Sequence, residues 1–142
     1  MTPDEAYAET RQAVAEVLET LSPGSSGSIG DPDTRIPCGG PGGNEFTKIR
    51  AGLTGKVASP IDDPGDALVK ARARLTDLGW TVDKPNESGG SKFLPFGGTA
   101  GSGEVRFDPD GTVLVSADSV CLDNPNKDDP FPEITPRSSA PS

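Results

Sequence analysis

Glu104-Val105-Arg106-Phe107-Asp108-Pro109-Asp110-Gly111-Thr112-Val113-Leu114-Val115-Ser116 is the stretch whose reading decides the fold class. Two short runs rich in Val, Phe and Leu flank a four-residue break, Asp108-Pro109-Asp110-Gly111. Proline in the second position of the break presets a type I turn, and Gly in the fourth supplies the residue that closes a hairpin with a bulge. Two antiparallel strands are therefore expected, the second running on towards Val120 and Cys121.

Working outward from the hairpin, residues 92–96 read as a further short strand, residues 97–103 as a flexible Gly-rich loop, and residues 84–91 as a polar turn. Trp80-Thr81-Val82-Asp83 begins a strand of its own. Ahead of it, Leu68, Ala71, Leu75 and Leu78 recur at helical spacing after an acidic start at Asp62, Asp63 and Asp66. Gly79 is the expected left-handed residue after that helix, with Trp80 folding back onto its last turn. Residues 46–59 read as a strand carrying Phe46, Ile49, Leu53 and Val57, with Gly52 and Gly55 allowing a bulge. Residues 22–45 hold seven Gly and four Pro in 24 positions and read as a loop containing Cys38. At the start, Thr2, Pro3 and Glu5 form a capping-box signature, and Tyr7, Val14, Val17, Leu18 and Leu21 mark one face of a helix.

The expected architecture is α+β: an antiparallel sheet of about four strands with two helices packed on one face, in the order α-β-α-β-β-β. Leu18, Leu75, Leu78, Trp80, Val113 and Val115 would be buried together. Residues 1–122 are expected to form one disulfide-stapled domain with a mobile Gly/Pro loop at 22–45. Residues 123–142, with five Pro, read as a Pro-rich, mostly disordered tail.

Composition narrows the function classes. The chain has 142 residues, enough for one domain, and only 32% of them are hydrophobic, so the core is thin. A net charge of −9 and the lack of His argue against nucleic acid and anionic lipid surfaces, which need clustered Lys and Arg. No apolar run approaches the ~20 residues that cross a bilayer. Membrane attachment is expected only through a lipid anchor outside this sequence, and the chain is expected to be a monomer.

Cys38 and Cys121 lack the short spacing of a zinc site, and no His is available to complete one. Two unpaired buried thiols are one reading. A disulfide is the favoured one, because closing a loop of this length stabilises a thin-cored domain by roughly 4–5 kcal/mol. A structural disulfide implies an oxidising compartment, and hence an extracytoplasmic location, on the outer face of the cell membrane or secreted.

Without His, Ser-His-Asp and Cys-His catalysis are not available in their ordinary forms. Paired carboxylates remain open among the 22 acids. Asp62, Asp63 and Asp66 fit a helix cap better than a metal set. Asp108 and Asp110 fit turn chemistry better than a calcium loop, whose twelfth position is occupied here by Ser119. The Gly-rich stretches 38–43 and 97–103 lack the Lys-Ser/Thr and the helix of a phosphate loop. No cofactor or metal is expected, and no enzyme activity. Trp80, Phe93, Phe96 and Phe107 are the candidates for an apolar ligand groove rimmed by residues 97–103, set against ordinary core packing.

In layout the chain resembles the small cell-envelope lipoproteins of actinobacteria, such as the mycobacterial LppA-like proteins. The likeness rests on the helix at residues 4–21, the Cys38 region, and the helix leading into Leu78-Gly79-Trp80-Thr81-Val82. It also takes in the last strand, ending in Ser119-Val120-Cys121 before a Pro-rich tail. It implies an export signal, a lipidated Cys that this sequence lacks, and a place on the outer membrane face; it supplies no catalytic residues. The expected function is a non-catalytic envelope binding or interaction protein for an unknown protein or small ligand. The alternatives are a secreted inhibitor or immunity-type protein acting through residues 97–103, and a carboxylate-dependent envelope hydrolase.

Overall fold

The computed structural model describes residues 1–30 and 33–125, with the backbone alone at 33–35. Helix α1 spans Pro3–Leu21, and Thr2 and Glu5 close the capping box: Thr2 Oγ1 accepts from Glu5 N, and Glu5 Oε1 accepts from Thr2 N. Its buried side chains, Ala6, Thr10, Ala13, Val14, Val17 and Leu18, form the stripe that a 3.6-residue period lays on one face. Helix α2 spans Pro64–Asp77, with Asp63 as its cap and Ala67, Ala71 and Leu75 buried. Leu78 caps its C-terminus, and beyond it Gly79 takes φ +92°. Gly79 N donates to Thr76 O and Trp80 N to Leu75 O, the paired bonds that turn the chain sharply out of a helix. Arg74 grips Glu16 Oε1 through Nε at 3.1 Å and Nη2 at 2.6 Å, tying the two helices together.

The strands are β1 (Asp33–Gly39), β2 (Glu45–Lys56), β3 (Thr81–Val82), β4 (Asn86–Ser88), β5 (Ser91–Gly97), β6 (Gly101–Phe107), β7 (Val113–Ser119) and β8 (Leu122–Asp123). They form one sheet in the order β1-β2-β7-β6-β5-β3, with β4 also pairing β5 and β8 also pairing β2, every pair antiparallel. Alternation puts Leu53, Phe96, Val105, Phe107, Val113 and Val115 on the face that α1 and α2 cover. The expected core group is mostly there: Leu18, Leu75, Val113 and Val115 are fully buried, whereas Trp80 and Leu78 are only half-buried.

The class and the one-sided helix packing are as expected, but the sheet has eight strands, not about four. The hairpin turn forms as read, with Gly111 N donating to Asp108 O and Asp108 N to Thr112 O. The extra strands are short or irregular. β8 has two residues, β4 has three, and the β1–β2 ladder is broken by two register shifts, while the expected strand at Trp80–Asp83 forms as the two-residue β3. β4 and β8 are too short to develop the alternation that marks a strand in sequence, and in β1 Pro37 and the register shifts interrupt it.

Residues 22–45, read as a loop, contain β1 and a short 3-10 turn over Ser25–Ser28. Ile29 reaches the core there, and serine side chains supply the other anchors. Ser25 Oγ accepts from Ala58 N at 2.7 Å, and Ser28 Oγ accepts from Lys56 N at 2.8 Å. Glu19 holds the near side, accepting from Gly24 N and Ser26 N. Residues 97–103 are likewise not a free loop: Gly97 ends β5, Gly101 begins β6, and Gly98 N donates to Gly101 O at 2.9 Å. The expected tail begins inside β8. Asn124 is buried and its Nδ2 donates to Phe46 O, while residues 126–142 lie outside the described residues.

Candidate binding face

Because both helices lie on one face, no described element covers the other face of β5, β6, β7 and β2. Ladder register fixes which side chains share it. Pro95, Glu104, Ser116 and Thr54 stand opposite one another in one row across the four strands. The row beside it runs Gly97, Ser102, Asp118 and Gly52, and the row on its other side runs Phe93, Arg106, Leu114 and Lys56. Asp83 extends the first row, since its N–H donates to Pro95 O at 2.9 Å. Small side chains in two adjacent rows, on a sheet that twists, leave a concavity of about 840 Å³ whose lining includes Thr54, Asp83, Ser102, Glu104, Ser116 and Asp118.

Two of the cations on this face are turned to carboxylates. Arg50 Nη1 lies 2.6 Å from Asp118 Oδ1, and Arg106 Nη2 lies 3.0 Å from Asp108 Oδ2. The Ser91 hydroxyl, with Arg106, holds the Asp108 carboxyl below its ordinary range. Asp110 is lowered mainly by the Thr112 N–H. Both carboxylates are thus spent on the hairpin itself, which is the turn chemistry expected of them. Asp63 Oδ1 accepts from Asp66 N at 3.1 Å, and Asp66 pairs with Lys70 at 3.1 Å, so this acidic group serves the start of α2.

The four aromatics expected to line one groove do not share one. Trp80 and Phe96 meet edge to face, with centroids 5.5 Å apart and planes at 82°. Phe107 is 1% exposed and belongs to the core. Phe93 pairs with Arg106 on the open face, away from the other three. Residues 98–100 do rim a crevice beside Trp80, Glu9 and Gln12, but it measures only about 100 Å³, well below the several hundred Å³ of small-molecule sites. The polar residues that line the sizeable concavity are not among the sequence candidates. The signal for them was the alternation of polar Ser102 and Glu104 with Val105 and Phe107, and of Ser116 and Asp118 with Val115 and Ala117.

Cys38 and Cys121 are joined, with Cα atoms 6.1 Å apart across a separation of 83 residues. Cys38 lies on β1 and Cys121 at the break between β7 and β8, so the link clasps β2, which pairs with all three strands.

Fold and face together define the class: a disulfide-linked α+β domain with helices on one side of an antiparallel sheet and a polar trough on the other. No family model matches the chain, and no curated protein matches it. Among solved structures it is similar to a DUF4853 family protein from Actinomyces odontolyticus, with a TM-score of 0.56 and 18% identity, over 90% of this chain and 72% of that one. At that identity the likeness concerns the fold. Among the described residues no helix is long and apolar enough to cross a membrane.

Proposed function

We propose that the chain is a non-catalytic, extracytoplasmic binding domain of the envelope-lipoprotein kind, and that it engages its ligand through the open face of the sheet. The observation that carries this reading is the Cys38–Cys121 disulfide, because such a link persists in oxidising compartments and is rare in the cytosol. Three further features support it. The layout resembles small actinobacterial envelope lipoproteins, the similar fold comes from an actinobacterium, and the sequence has no His to serve as a catalytic base. The inhibitor alternative calls for a projecting rigid loop. Residues 97–103 instead form a tight turn, with Ala100 O accepting from Thr10 Oγ1 and Gly98 set against the Trp80 ring. The hydrolase alternative has less behind it, since the carboxylates with displaced protons, Glu5, Glu19, Asp108 and Asp110, lie outside the trough.

Thiol trapping and protease treatment of intact cells making the full natural chain test the placement. Cys38 and Cys121 should resist alkylation until a reductant is added, and external protease should reach the chain. Free thiols in a protease-protected chain would remove the reading.

A further inference from the structure

The trough has a chemistry that points to one kind of occupant, in an inference that rests on the binding reading above and deepens it. We infer that it receives an extended, basic segment of a protein partner, with a Lys or Arg side chain seated at Glu104.

Shape is the first argument. Small-molecule pockets enclose most of their ligand. This trough lies open along a row of residues from Asp83 through Pro95, Glu104 and Ser116 to Thr54, a form that suits a chain lying across it. Charge is the second. Among the described residues, the lining contains Asp83, Glu104 and Asp118 and no Lys or Arg. Asp118 already holds Arg50, and Arg106 in the neighbouring row already holds Asp108. Lys56, also in that row, stands opposite Leu114 rather than in the trough. Glu104 and Asp83 are left exposed, with no ion pair to another side chain among the described residues.

Spacing is the third. Glu104 and Asp118 are diagonal neighbours on β6 and β7, about 7–8 Å apart. Asp83 stands two strand spacings from Glu104, about 10 Å away. Alternate side chains of an extended peptide recur every ~7 Å, so two of them can address neighbouring carboxylates. The hydroxyls of Thr54, Ser102 and Ser116 supply donors and acceptors for its main chain. A glycan would want an aromatic ring in the floor. Phe96 is in the lining but only 3% exposed and edge-on to Trp80, Phe93 lies a row away from Glu104, and Phe46 stands at the far end of β2.

The test titrates the purified, oxidised chain with a pentapeptide alternating lysine and threonine, with its glutamine-for-lysine analogue, and with a neutral oligosaccharide, read by amide chemical shifts. The lysine peptide should bind and shift residues 52–54, 102–104 and 116–118. Glu104→Gln and Asp83→Asn should each weaken it three- to fivefold, as exposed charge pairs do, without moving the melting temperature. A control double variant, Asp62→Asn with Glu9→Gln, removes two charges elsewhere and should leave the affinity unchanged.

No binding, equal binding by the glutamine analogue, preference for the oligosaccharide, or an equal loss in the control variant would each overturn the inference. The last would show only general attraction to a chain of charge −9. Failure here leaves the cellular placement standing, whereas free thiols in the cell remove the placement and leave the peptide result as it was.

Discussion

Replacing Cys38 by Ser opens a covalent loop of 83 residues. In the chain-entropy treatment that loop contributes about 4.5 kcal/mol, a large part of the ~5–15 kcal/mol that holds most domains folded. The variant should therefore melt more than about 10 °C lower. Reductant should lower the parent by a similar amount and leave the variant where it is; a parent curve that ignores reductant would refute the assignment of stability to this link. The cysteine pairing was legible because a thin core, an unstructured-looking neighbourhood and the lack of other ligands left few alternatives. The aromatic groove was not, although one sign was present. Phe93 and Phe96 are three apart, and in a strand an odd separation puts two side chains on opposite faces.

Among the elements, the helices and the central hairpin were legible because each carries its own signals: Thr2 and Glu5, Asp63, Gly79, and the turn at residues 108–111. β1 and β4 pair with the strands next to them, β4 through the Gly89-Gly90 turn with both φ positive, but their residues are polar or broken by Pro37, and β8 has only two residues and a remote partner. Hydrogen bonds from Ser25, Ser28 and Asn124 side chains hold the irregular segments, and hydropathy does not register such bonds. The turn between β5 and β6 looked flexible for the same reason, yet its glycines serve close packing. At Gly101 a Cβ would run into Asp118 O and stand 2.8 Å from Thr10 Oγ1. Gly101→Ala should therefore cost about 1–3 kcal/mol, measured by denaturant unfolding. Gly27→Ala has nothing within 4 Å and should stay within about 0.5 kcal/mol of the parent. If the two variants unfold alike, the turn is not packed as described.

For the whole molecule, acid is the revealing condition. Glu5 is lowered chiefly by the Thr2 N–H and Glu19 by the Ser26 and Gly24 N–H groups, alongside Asp108 and Asp110. A group that binds its proton less readily when folded stabilises the fold above its ordinary pKa. That contribution fades as the pH falls through the lowered one. The melting temperature should thus hold steady from pH 7 to about 5 and drop below about pH 4, past the ordinary values of 4.5 for Glu and 3.8 for Asp. A melting temperature that rises on acidification below pH 4 would show that relief of the −9 net charge outweighs these bonds.

The clasp around β2 also gives the molecule a mechanical direction. Residues 38–121 form a closed ring holding α2 and every strand from β2 to β7, with α1 outside it. Traction from the N-terminus peels α1 and then β1 away and halts at Cys38, after the release of residues 1–37, about 130 Å of chain. A pull beyond that point is borne by a sulfur–sulfur bond, so a tethered copy keeps β2 through β7, and the trough they carry, within one unbroken loop.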